Sequence, residues 1–123
     1  MPGSASHFLS LAAKEQPTLP SHDSVAHMSF KADEGKLRWD LMPFAPLEHI
    51  VKILMHGASK YGENTWQQVE SAETRYFAAV MRHLVAWRKG EVLDSESRLP
   101  HLAHAACSLL FLLYFEEQHY KGL

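Results

Sequence analysis

The chain has a single cysteine, Cys107, in 123 residues, so no internal disulfide can form and a reducing compartment is implied. It also lacks a basic excess: 12 Lys+Arg stand against 14 Asp+Glu, a formal charge of -2. A protein that tracks an extended phosphate backbone needs a clear basic surplus. Extended nucleic acid is therefore excluded as a partner, while a small local anion site is not. No long apolar run is present either. The most apolar stretch, Ala105 to Phe115, falls well short of the ~20 residues that cross a bilayer, so no membrane association is expected. The first residues, MPGSASHFLSLAAKEQP, have no basic start and only a broken apolar patch, unlike a signal peptide. A cytoplasmic location is expected. Strand-like alternation, internal repeats, P-loop spacing and a Ser-His-Asp arrangement are all missing.

What is present is the composition of one folded domain, with 46% hydrophobic and 21% charged residues. Nine histidines are unusual for this length, and imidazole is the commonest transition-metal ligand. Residues 1–30 differ from the rest. Pro2, Pro17, Pro20 and several serines interrupt any periodicity, and at most a short helical turn from Ser6 to Lys14 is expected in this arm.

From residue 31 to 123 the chain reads as an all-α domain of three principal helices. Pro46 suits a helix start, and Leu47, Ile50, Val51, Leu54 and Ala58 share a face, which predicts a helix over 46–60 stopped by Gly62. Tyr76, Phe77, Val80, Met81, Leu84 and Trp87 predict a second helix over 72–89, opened near Ser71 with Glu73 in its first turn and stopped by Gly90. Pro100 opens the third, 100–118. Leu102, Ala106 and every residue from Leu109 to Phe115 make that helix apolar around much of its circumference. Two partner helices can hardly cover such a surface, so a compact bundle completed by homo-oligomerisation is expected. Leu109, Leu113 or Tyr114 should meet the other subunit.

Three constellations could carry chemistry. His101 and His104 lie three apart on one helical face, continued by Ser108, with His83 on the second helix and Glu91, Asp94 and Glu96 just upstream. Glu91, Asp94, His101 and His104 could hold a divalent metal, with partly exposed helix-start histidines as the alternative. Arg75 and Arg82 share a face with the small Ala79 between them and His83 beside it, a phosphate clamp unless both arginines pair with nearby carboxylates. Lys36 and Arg38 follow Gly35 and could cradle a phosphate. Lys60, Tyr61 and Trp66 offer a cation, a phenol and an indole at a helix end, either to stack on a base or to seal the core. If His101 and His104 meet phosphate as imidazolium ions, affinity should rise on acidification; if they hold a metal, it should fall. Cys107 sits in an apolar run and reads as packed rather than nucleophilic.

These residues fall into an ordered series: Gly35-Lys36-Leu37-Arg38-Trp39-Asp40-Leu41-Met42-Pro43, Gly57-Ala58-Ser59-Lys60-Tyr61-Gly62, Arg82-His83-Leu84, Gly90-Glu91 with Asp94 and Glu96-Ser97, and His101-Leu102-Ala103-His104-Ala105. The series resembles the phage-associated family named for the N-terminal domain of dATP/dGTP diphosphohydrolases, over about residues 31–115. Three positions depart from the family's usual pattern. Thr65 precedes Trp66 where Asn is usual, Arg98 follows Ser97 where Gly is usual, and Pro100 precedes His101 where a paired His is frequent.

The resemblance implies a purine nucleotide or nucleotide-derived ligand, in the cytoplasm of an infected host if the chain is phage-encoded. The related all-α nucleoside triphosphate pyrophosphohydrolases hold Mg²⁺ with Glu-Glu-x-x-Glu and Glu-x-x-Asp helices, and neither motif stands here. Nucleotide recognition is thus better implied than hydrolysis, and no catalytic residue is assigned. One reading is a pyrophosphohydrolase-like enzyme, with Mg²⁺ or Mn²⁺ among Glu91, Asp94, His101 and His104 and with Arg75, Arg82 and Lys36 on the phosphates. The others are an oligomer that sequesters a nucleotide signal without cleaving it, and a structural helical assembly factor.

Overall fold

In the computed structural model, residues 31–120 and 122–123 are described; the N-terminal arm and its turn at 6–14 lie outside them. Three helices dominate, α1 (Phe44–Tyr61), α2 (Ala72–Arg88) and α3 (His101–His119), each within two residues of its predicted bounds. Short 3-10 turns occupy Trp39–Leu41 and Thr65–Gln68. Among the described residues no strand occurs beyond one isolated bridge, Leu93 with Pro100, so the fold is all-α.

The helix ends follow from their residues. Pro46 sits in the first turn of α1, where its missing N–H leaves no intrahelical bond unmade. Gly62, at φ +101°, donates its N–H to Ala58 O (2.8 Å) and ends the helix. At the end of α2, Gly90 (φ +100°) donates to Trp87 O at 2.9 Å and Glu91 to Ala86 O at 3.1 Å. This paired closure sets the direction in which the chain leaves the helix and so aims Glu91. The start of α2 differs from expectation. Ser71 precedes the helix in the left-handed region (φ 53°, ψ 43°), and its hydroxyl caps nothing. Its carbonyl instead accepts from Arg75 N at 3.0 Å.

The chain divides into two units, one ending at Ala45 and one running Pro46–Leu123. In the first, Gly35 at φ +80° lets the chain turn so that Lys36 N reaches Asp33 O at 3.1 Å. In the second, α2 packs along α3. The seam has two different ends. At the far end Trp66 stacks on Phe111 (ring centroids 4.3 Å apart, planes 10° apart) and meets Tyr114 and Phe115 edge-on. Tyr76 packs on Phe111 and Phe115 and donates its hydroxyl to Trp66 O at 2.9 Å. Such contacts add about 0.5–1.5 kcal/mol each to the burial of the rings. At the near end the side chains are small or polar: His101, Ala103, Ala105, Cys107 and Ser108 are all buried on α3, and His101 and His104 meet His83 of α2.

The sequence predicted that two helices of one chain could not cover α3. Within the chain its buried face is the histidine and aromatic one, while Leu102, Leu109, Leu110 and Leu113 lie about half exposed on the opposite side. Tyr114, expected at a subunit boundary, packs on Trp66 and donates to Gln67 Oε1 at 3.3 Å within the chain. An aromatic ring three positions from Phe111 falls on the flank that Trp66 covers, so the same helical periodicity that exposes Leu113 draws Tyr114 in.

Candidate functional site: a histidine–carboxylate cluster in the α2–α3 seam

The loop between α2 and α3 is tied at both ends. His101 N donates to Val92 O and Asp94 N to Leu99 O, each at 2.8 Å, while Arg98 N returns to Asp94 O at 2.8 Å. Asp94 Oδ2 accepts from Ser97 N (2.8 Å) and Glu96 N (3.1 Å), a turn that short acidic side chains form readily. Arg98 closes the loop in the left-handed region at φ +63°. Arg98 thus stands at a position whose backbone favours glycine.

This loop delivers Asp94 and Ser97 to the polar end of the seam. There His83 Nδ1 lies 2.8 Å from His101 Nδ1. His83 also stacks on His104, with centroids 4.5 Å and planes 9° apart. His104 Nε2 is 2.7 Å from Ser97 Oγ, which in turn accepts from Leu99 N at 3.2 Å. His101 is 5% exposed, and its Nε2 lies 3.4 Å from Glu91 Oε1 without the alignment of a hydrogen bond.

In this seam the protonated imidazole is disfavoured at His83 and at His104. Burial, then the neighbouring His104 and His101, pushes His83 down to about 4. Burial likewise lowers His104, against the pull of Asp94. Burial would raise Asp94, but the bonds from Ser97 outweigh it and hold the carboxyl below its usual range. Near neutral pH the seam therefore presents neutral His83 and His104 beside an ionised carboxylate. Cys107, buried at the same level of α3, is pushed up to about 11 and is a packing residue.

Around the cluster, the predicted residues sort by position. Arg82 lines a surface groove of about 470 Å³ with Met81, Val85, Ala86, Lys89 and Glu91, and it makes no ion pair with a described carboxylate. Arg75 reaches only Glu70 O, at 3.5 Å. Lys60 at the end of α1 pairs with Glu96 of the loop and lies 5.1 Å from the centre of the Tyr61 ring. The Trp66 face stacked on Phe111 is closed to a nucleobase. In the first unit, the Arg38 fork is bidentate on Asp40 (2.9 and 2.8 Å), and Lys36 is exposed.

Of the predicted metal set Glu91, Asp94, His101 and His104, the close-set group retains Asp94 and His101 and adds His83: one donor atom from each of the three lies within 4.8 Å of the others. His104 turns to Ser97, and Glu91 stands behind His101. Sequence reasoning missed Ser97 as the partner of His104 and Lys89 as a groove residue. Ser97 gave no periodic signal because it acts from a loop, and Lys89 at a helix end fitted a capping role equally well.

The fold and the cluster define the class: an all-α protein with a part-buried histidine–carboxylate cluster at one end of a helix seam. The chain belongs to the family described as dATP/dGTP diphosphohydrolase, N-terminal, whose model matches residues 26–122. It is similar to a dATP/dGTP diphosphohydrolase of Salmonella phage PMBT28, at 34% identity over 84 residues. The match covers 68% of this chain and 28% of that relative, so the chain spans less than a third of the relative's length. No solved structure matches.

Proposed function

We propose that this chain is a nucleotide-binding module of the diphosphohydrolase type, taking a purine nucleotide or nucleotide-derived ligand with its phosphates toward Arg82. The observation that carries the reading is the groove of about 470 Å³ where Arg82 and Lys89 adjoin Glu91, itself the neighbour of buried His101. That volume is in the range of small-molecule sites, and two cations without described carboxylate partners suit phosphate oxygens. Kinship with a phage diphosphohydrolase supports a nucleotide as the ligand. Neutral His83 and His104 fit this arrangement better than an imidazolium clamp does, so the arginine and lysine carry the anion contact.

Incubating the full chain with dATP or dGTP and a divalent metal separates hydrolysis from sequestration. Release of pyrophosphate with the nucleoside monophosphate supports the enzyme, and intact nucleotide recovered from a stable complex supports the binding protein. In calorimetry, Arg82→Ala should weaken nucleotide binding more than about ten-fold, the loss of ~1.4 kcal/mol expected for a charge-assisted phosphate contact. Unchanged affinity removes Arg82 from the site.

The module is also proposed to self-associate. Phe77, Met81 and Val85 on α2 and Leu102, Leu109, Leu110 and Leu113 on α3 are 43–58% exposed, a large apolar area for one chain to leave in water.

A further inference from the structure

We propose that His83, His101 and Asp94 form a site for a first-row transition-metal ion, bound through the two facing Nδ1 atoms and the Asp94 carboxylate. The inference deepens the nucleotide reading by naming a cofactor for the same site.

Three features point to a cation. The first is the approach of the two Nδ1 atoms to 2.8 Å. Two imidazole lone pairs do not face each other bare at that distance: either one Nδ1–H donates to the other Nδ1, or a metal ion takes the place of that proton. Nitrogens each about 2.1 Å from one ion stand roughly 3.0–3.4 Å apart, so the observed pair needs only a slight opening to seat one.

The second is the carboxylate. Asp94 has Oδ2 engaged by two backbone N–H groups, which fixes the plane of the group and holds it ionised beside the two histidines. A donor atom of Asp94 lies within 4.8 Å of those of both histidines.

The third is the far side of His101. A ligating histidine characteristically turns its other ring nitrogen toward a carboxylate, which fixes the tautomer and strengthens the ligand. His101 Nε2 is buried, lacks a hydrogen bond, and sits 3.4 Å from Glu91 Oε1. Nδ1 ligation requires the proton on Nε2 and the lone pair on Nδ1. With an ion bound, the Glu91 carboxylate at 3.4 Å would be the group to accept that proton.

The donor set selects the class of ion. Two imidazoles with one carboxylate suit Zn²⁺, Mn²⁺, Co²⁺ or Fe²⁺ better than Mg²⁺, which prefers all-oxygen surroundings. Three protein ligands leave coordination positions open for water or a phosphate oxygen. His104 lies outside the set: its Nε2 is committed to Ser97, and its ring stacks on His83, holding that ligand's plane. His104 is thus a positioning residue for the ion.

The test uses the full chain, stripped with chelator and titrated with Co²⁺ and Zn²⁺ in the absence of nucleotide. Expected are one ion per chain and a visible Co²⁺ spectrum with nitrogen ligation. His83→Ala and Asp94→Asn should each lose at least about ten-fold in affinity, with circular dichroism unchanged. Glu91→Gln should weaken binding less than either, and His119→Ala not at all. His101 is too buried for its replacement to be a clean control, so ring-nitrogen NMR shifts report its ligation: the Nδ1 resonances of His83 and His101 should move on adding Zn²⁺, and Nε2 of His104 should not. Flat titrations of the parent protein, or equal affinity in His83→Ala and Asp94→Asn, overturn the site and leave a proton-shared histidine pair. Because no nucleotide is present, that result stands apart from failure of the nucleotide reading, which is measured with Arg82→Ala.

Discussion

Replacing Arg98 with glycine should stabilise the protein. Arg98 holds φ +63° at the close of the α2–α3 loop, and its side chain is exposed with no ion pair to a described carboxylate. The left-handed conformation costs an L-residue about 1–2 kcal/mol that glycine does not incur. Glycine in turn loses more chain freedom on folding, about 0.5–1 kcal/mol. The difference is a net gain of about 0.5–1 kcal/mol. The 2.8 Å bond from Arg98 N to Asp94 O is a backbone bond and survives the change. At ~4–8 °C per kcal/mol for a small domain, Tm should rise by about 2–8 °C. Scanning calorimetry of chelator-treated protein reads this directly, with Arg98→Ala as the control that keeps the strain and gains nothing. If Arg98→Gly melts at or below the parent temperature while Arg98→Ala matches the parent, the backbone argument is wrong and the arginine side chain stabilises the loop.

Trp66→Ala should cost about 2–3 kcal/mol, since its half-buried indole joins the 3-10 turn to Phe111, Tyr114 and Phe115; a urea midpoint that does not fall would show that the far end of the seam does not depend on it. Metal-free protein should lose stability as pH falls from about 6.5 to about 4, because the unfolded chain protonates His83 in that window and the folded chain does not; His104 acts in the same direction. The loss is modest, because the ring is only partly buried, and equal urea midpoints at pH 7.5 and pH 5 would contradict it. Leu113→Glu should lower the mass seen by light scattering, and a parent protein that is already monomeric at micromolar concentration would remove the basis for self-association.

The helices were legible because proline and glycine stand at their ends and apolar residues recur at helical spacing between them. Pro46, Gly62, Gly90 and Pro100 each act where the pattern placed them. The inward face of α3 was legible in part. The sequence places Leu109 and Leu113 away from the chain's own core, and they are half exposed; it places Tyr114 with them, and Tyr114 packs inward. That difference follows from Trp66 and Tyr76, whose rings draw Phe111, Tyr114 and Phe115 in and carry His104 with them along the same stripe. The candidate site was half visible. The three-residue spacing of His101 and His104 placed both imidazoles together, but the partner of each depends on a loop whose turn at Asp94 and left-handed Arg98 no periodicity encodes. That loop sends Ser97 to His104 and leaves Asp94 with His83 and His101, exchanging one histidine of the expected metal set for another.

The division of the α2–α3 seam into an aromatic end and an imidazole end sets how tolerant the protein is to change. The large aromatic rings that join the helices cluster at one end, about two turns from the histidines. Substitutions among His83, Asp94, Ser97 and His104 therefore disturb chemistry more than folding, and those among Trp66, Tyr76 and Phe111 do the reverse. A saturation screen that reads abundance and ligand capture separately should resolve into two zones along one pair of helices. Such a layout leaves the ligand preferences of the histidine end open to alteration while the helix pair stays assembled.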